Sequence, residues 1–163
     1  MTWVRCLWNP STGNADCPQR ETPNQIFLLF VSEQSSRRLQ DRAHVFGMAL
    51  VPPTGSFASR GYIFYARIRN QCAEQHDINE ASLLGAVVVH EIGHLLLGAN
   101  SHTSSGIMKP TLDGNDTPKA NLSVLTFDRR QSEALRVAVA GRVHAAYSQE
   151  TTKTLYLSQA SMR

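Results

Sequence analysis

Lysine is nearly missing from this chain: three lysines stand against thirteen arginines among 163 residues. The net charge is only +3, and the sole basic doublets are Arg37-Arg38 and Arg129-Arg130. No stripe of basic residues interleaved with aromatics is available to follow a nucleic-acid backbone, so nucleic acid is not an expected partner. The charge supports no more than a slight preference for acidic partners. Cysteine is scarce too. Cys6, Cys17 and Cys72 include no CxxC pair, which removes zinc-finger spacing. Cys6 and Cys17 flank a loop that a disulfide could close, and two free thiols read nearly as well until the compartment is known. The first eight residues lack the long apolar core of a signal peptide. The cysteine pair still leans the expectation towards a secreted or extracytoplasmic setting over a cytoplasmic one. Internal repeats and low-complexity segments are absent.

What is present is an ordinary globular composition, 42% hydrophobic, in a length suited to a single domain with a real core. Thr2 to Trp8 reads as a first strand, and Asn9 to Asn24 as a loop dense in Pro, Gly, Asn and Asp. The apolar run Gln25 to Val31 has the length of a buried central strand. Ser32 to Ala43 is polar and fits either a surface helix or a long loop. Val45 to Val51 and Gly61 to Ile68 read as two further strands paired antiparallel, the second rich in aromatic and β-branched residues. Asn79 is a good N-cap, with Glu80 in the first turn, for a helix reaching about Leu97. Residues 99–125 are irregular. Thr126 or Asp128 caps a last helix to about Tyr147, with Leu135, Val139 and Val143 on one face, and 149–163 forms a tail.

Within the central helix lies His90-Glu91-Ile92-Gly93-His94, an HExxH pattern. At about 100° per residue, His90 and His94 are ~40° apart around the axis and one turn apart along it, so both imidazoles can reach one metal ion. Glu91 sits ~60° from His94, too offset to ligate easily but well placed beside a metal-bound water. Imidazoles suit zinc, which lowers the pKa of such a water, and Glu91 can take its proton and pass it to a leaving amine. A third ligand has to come from elsewhere. Gly98 is suited to end the helix, and the four steps from Gly98 to His102 give roughly 13 Å of reach. The flanks, Leu83 to Val89 and Leu95 to Leu97, are apolar all round, which implies burial on every side. Two histidines and a glutamate inside such a helix are costly unless paired or metal-bound. A membrane span is disfavoured, because three ionisable groups break a stretch that is short for a bilayer.

The run His90 to Met108 resembles the metzincin zinc peptidases, whose signature is HExxHxxGxxH followed by a Met-turn. It also resembles small bacterial proteins built around "HEIGHLLLG…SH…GIM". The resemblance implies Zn²⁺ held by His90, His94 and His102, with Glu91 as general base. It implies Met108 in a tight turn beneath the metal, packing rather than ligating. The family spacing would place glycine at 97 and histidine at 100, whereas this chain has Gly98 and His102. The implied fold is α+β and zincin-like, with a small mixed sheet over a buried active-site helix. The whole of 1–163 then forms one catalytic domain: 1–78 mostly sheet, 79–98 the active-site helix, 99–125 the Met-turn and loops, 126–148 the C-terminal helix.

The implied activity is that of a metalloendopeptidase acting as a monomer on peptide or protein substrates. An extended substrate would pair with Gly61 to Ile68 as an edge strand, a run that reads equally well as an ordinary core strand. A gluzincin-like ligand set would instead take Glu133 from the last helix, a residue that otherwise reads as a solvated surface group. The alternative function is a zinc-binding, latent or inactive peptidase-like domain with a regulatory or binding role. Tyr147 and Tyr156 could steady an oxyanion but read more simply as packing residues. His44, His76 and His144 read as surface or packing residues.

Overall fold

A computed structural model describes residues 2–5, 22–31, 33–34, 45–53, 57–111 and 124–160, with 154–160 as helical backbone only. Among them run three strands, β1 (Phe27–Phe30), β2 (Gly47–Leu50) and β3 (Arg60–Ile63), and then three helices. These are α1 (Tyr65–Glu74), α2 (Glu80–Leu97) and α3 (Arg129–Ala160). The protein is mixed α+β. The sheet order is β1-β3-β2, with β3 parallel to β1 and antiparallel to β2. Phe27 lies opposite Arg60, and Gly47 opposite Ile63.

α2 is the centre of the packing. Asn79 caps it by accepting a hydrogen bond at Oδ1 from the Ser82 amide at 2.9 Å. Glu80 in its first turn accepts the hydroxyl of Tyr65, which ties the starts of α1 and α2 together. The helix ends at Gly98, whose φ of 96° is open to glycine and strained for other residues. Its buried residues are Leu83, Ala86, Val87, Glu91, Gly93, His94 and Leu95. On one side they join Ile63 and Ile68 in a core with Phe46, Cys72 and Val88 around it. On the other, Ala86 packs with Ile107 and Met108 beside Leu125 and Phe127. By length and composition α2 would cross a membrane, yet it packs against β2, β3, α1 and α3. Burial is not all round: Ala81, Gly85 and Val89, four residues apart, form an exposed line.

Several sequence expectations give way, among them the buried central strand at Gln25 to Val31: β1 lies at the edge of the sheet among the described residues, with Leu29 and Phe30 exposed. Residues 2–5 form no strand, and Trp3 and Val4 are exposed; Cys6 to Trp8 lie outside the described residues, as do Cys17 and His44. Only the first part of Gly61 to Ile68 is strand. The chain turns at fully buried Phe64 and continues as α1, where Phe64, Ile68 and Cys72 at a spacing of four meet the core. That spacing is helical, and the aromatic and β-branched content conceals it. β3 is also the middle strand of the sheet, paired on both sides, so it offers no edge to a peptide. The last helix starts after Asp128 and continues through the expected tail to Ala160. Its inward face is Gln131, Leu135, Ala138 and Arg142, whereas Val139 and Val143 are exposed. Two hydrogen-bonded polar side chains sit on the buried side, so apolarity alone selects the wrong face.

Candidate metal centre

α2 supplies two imidazoles from consecutive turns, and the segment after Gly98 turns back to add the third. His90 Nε2 and His94 Nε2 are 3.0 Å apart, as are His94 Nε2 and His102 Nε2. The ring centroids stand 4.7, 5.4 and 4.6 Å from one another, and one nitrogen of each ring lies within 4.8 Å of the others. His94 is buried, His90 half-buried and His102 exposed, so the group opens to solvent on the side of His102.

The far side of each helical ring fixes its tautomer. His90 Nδ1 lies 2.8 Å from the carbonyl oxygen of Ile107, which can only accept, so Nδ1 carries the proton. His94 Nδ1 lies 3.0 Å from Ser101 Oγ and 3.3 Å from Gly98 O, and Ser101 Oγ itself donates to Gly98 O at 2.7 Å. His94 therefore also donates from Nδ1. Both Nε2 atoms are left as bare lone pairs aimed at each other across 3.0 Å. Two lone pairs so placed repel, and a cation between the three nitrogens removes the repulsion. Two donors ~2.0–2.1 Å from one tetrahedral ion stand about 3.3 Å apart, close to the separations seen. Carbonyl and hydroxyl acceptors behind the imidazoles are the outer-shell partners that orient metal-binding histidines. Burial also pushes the pKa of both helical histidines down, that of His94 to about 4, which keeps them neutral as ligands. The donor set fits a metal ion.

Glu91 faces β2. It is buried, with its carboxylate accepting from the backbone amide of Ala49 in β2. Burial raises its pKa to about 7, and the Ala49 hydrogen bond offsets part of that rise. A Cβ on Gly47 would come within 2.5 Å of Glu91 Oε1, so the glycine of β2 makes room for the carboxylate.

Met108 is fully buried in the turn Gly106 to Lys109. Gly106 takes φ 77°, and a Cβ there would lie 2.6 Å from Thr126 O. The turn is tied by Thr103 N donating to Met108 O at 3.0 Å and Ile107 N donating to Thr126 O at 3.0 Å. Met108 Sδ lies against Gly93, on the turn of α2 between the two histidines.

Glu133 does not join the histidines. It is exposed and pairs with Arg129 Nε at 3.1 Å. His76, His144 and Tyr147 are exposed as well, and the side chain of Tyr156 lies outside the described residues. Cys72 is free and half-buried against the core, away from the site, with its thiol pushed up by burial and by Glu80.

The sequence reading passed over Gln131 and Ser101. Gln131 is buried, and its Nε2 donates to Ser101 O at 3.1 Å and to Thr103 Oγ1 at 3.3 Å, on either side of His102. The one signal for it was the Asp128-to-Gln131 spacing of a capping box. Comparison with known protein families, with curated proteins and with solved structures found no match for the chain.

Proposed function

We propose that this protein is a zinc-dependent endopeptidase of zincin-like architecture, with a metzincin-type ligand set of His90, His94 and His102. The observation that carries the reading is the convergence of three imidazole Nε2 atoms while acceptors occupy the Nδ1 side of the two helical rings. Zinc held there supplies Lewis acidity towards a carbonyl and lowers the pKa of water towards neutrality. The chain's own residues do the rest. His90 and His94 stay neutral, with Nδ1 protons committed to Ile107 O and Ser101 Oγ. Glu91, next in sequence to a ligand and seated on Ala49 N–H, is the group able to accept a proton at a carboxylate oxygen and return it to the leaving amine.

β2 lies against α2 at Glu91 and is an edge strand of the sheet among the described residues. An extended peptide pairing along β2 would run its backbone past the carboxylate, which assigns β2 the docking role that β3 cannot fill. The longer spacing after His94 is one of two motives for a latent or inactive domain, the other being a C-terminal tail able to lie in the cleft. The spacing does not keep His102 from its partners, since the Nε2 atoms are 3.0 Å apart.

The test is metal content after purification without chelator, together with cleavage of an unfolded protein substrate. Wild type is expected to hold one zinc per chain and to cleave. Glu91→Gln should keep the zinc and lose about 10²- to 10⁴-fold in rate, the usual contribution of a general base. His102→Ala should lose zinc, and Glu133→Ala should keep it. Wild type without zinc would end the reading, and zinc retained in His102→Ala but lost in Glu133→Ala would end the ligand set.

A further inference from the structure

His90 and His94 ride on a helix, and each has an acceptor behind its ring. His102 has neither support. It is exposed, it sits in a loop, and among the described residues no carbonyl or hydroxyl meets its second ring nitrogen. Its position therefore has to be set through the backbone on either side. Gln131 holds both sides at once from the first turn of α3, at Ser101 O and Thr103 Oγ1, across 30 and 28 residues of sequence.

Gln131 is itself fixed. Its Oε1 accepts from Asp128 N at 3.0 Å, and its own amide donates to Asp128 Oδ1 at 2.7 Å. That is a reciprocal capping box, with Gln at the position usually filled by Glu or Gln. The box consumes the acceptor end of the side-chain amide and aims the NH₂ end outward from the helix, into the 101–103 loop. A glutamate would complete the box equally well. It would offer no donor to Ser101 O, so the choice of amide over carboxylate is explained by the loop and not by the helix.

We propose that Gln131 is the positioning residue of the third imidazole, holding the loop so that His102 Nε2 meets the Nε2 atoms of His90 and His94. The inference rests on the metal-site reading above. It explains how a ligand loop longer than the HExxHxxGxxH spacing still delivers its histidine: α3 clamps it from outside.

The test compares Gln131→Glu with Asp128→Ala on the full chain. The readouts are zinc affinity by competition with a chromophoric chelator, the visible spectrum of the Co²⁺-loaded protein, and Tm. Gln131→Glu keeps the cap and removes the donor. It should weaken zinc binding about 10- to 100-fold, the range for losing an outer-shell partner. It should also shift the Co²⁺ bands as one nitrogen ligand is lost or exchanged. Asp128→Ala removes a cap and leaves the Gln131 NH₂ in place, so Tm should fall with zinc affinity and Co²⁺ spectrum unchanged. If Gln131→Glu fails to fold, Gln131→Asn, whose amide falls one methylene short of the loop, carries the same expectation. Wild-type affinity and spectrum in the Gln131 variant would overturn the proposal, as would affinity losses that track Tm in both variants. A wild-type protein that binds no zinc would instead remove the metal reading, and this inference with it.

Discussion

Two glycines, Gly47 in β2 and Gly93 in α2, leave space that site residues fill. A Cβ on Gly93 would press on Met108 Sδ and come 3.0 Å from Phe127 Cε1, both in a packed cluster with little freedom to retreat. Gly93→Ala should therefore overpack this side of the helix and destabilise the fold by about 1–3 kcal/mol, read as a lower midpoint in urea with an unchanged slope. A Cβ on Gly47 would meet Glu91 at Oε1, Cγ and Cδ, within 2.5–2.8 Å. The carboxylate has to swing off Ala49, so on the proposed function Gly47→Ala should reduce hydrolysis while zinc content stays at the wild-type level. Loss of zinc in that variant would show that the strand supports the ligands and not the base. At this scale the approach of His90 to His94 was legible because a spacing of four places them on neighbouring turns of one helix. Gly47 was not, because a glycine in a strand says nothing of what approaches it.

Among the elements, α3 shows how a buried face can be polar. Arg142 is buried, and its guanidinium donates to the carbonyls of Pro23 at 2.9 Å, Leu95 at 2.9 Å and Ala58, with the ring of Phe57 at 5.2 Å. One side chain thus ties the segment before β1, the segment before β3 and the last turn of α2. Leu95 O belongs to that last turn, where cationic groups are favoured by the helix dipole. Replacing Arg142 by Met leaves three carbonyls without this donor. Hydrogen bonds to charged groups contribute about 1.5–3 kcal/mol, so a loss of roughly 3 kcal/mol is expected. At roughly 2–4 °C per kcal/mol for a chain of this size, Tm should fall by about 6–12 °C. Arg142→Lys should recover only part of that, since a compact ammonium lacks the planar fork that reaches several acceptors. A Tm within a degree of wild type for Arg142→Met would mean the carbonyls find water instead. Hydrophobic patterning located α3 but chose Val139 and Val143 for its core, because a satisfied Arg or Gln looks like a surface residue until its acceptors are known. α1 was hidden for a related reason: Tyr65 to Ile68 has strand-like composition, and its helix is set by Phe64, Ile68 and Cys72 reaching the core.

For the molecule as a whole, sequence neighbours paired as expected at β2 and β3, whereas the parallel pairing of β1 with β3 depends on contacts that no local pattern encodes. The three strands have four residues each, so the sheet gives the site a small platform and the packing of α2 carries much of the load. The order of these contacts has a consequence for stability. His94 is buried with its Nε2 lone pair facing that of His90, a repulsion present in the folded chain and absent from the unfolded one. A metal bound only by the folded state should then stabilise it by mass action, by about 2.7 kcal/mol when free zinc is a hundredfold above Kd. For this length that corresponds to roughly 5–11 °C in Tm. Calorimetry of the protein with zinc, with excess chelator, and with zinc restored should show that interval lost and regained. His102→Ala should show a much smaller interval, because two imidazoles hold the ion less tightly than three. A melting curve indifferent to chelator, in wild type and His102→Ala alike, would mean that the three rings meet for packing and hold no ion.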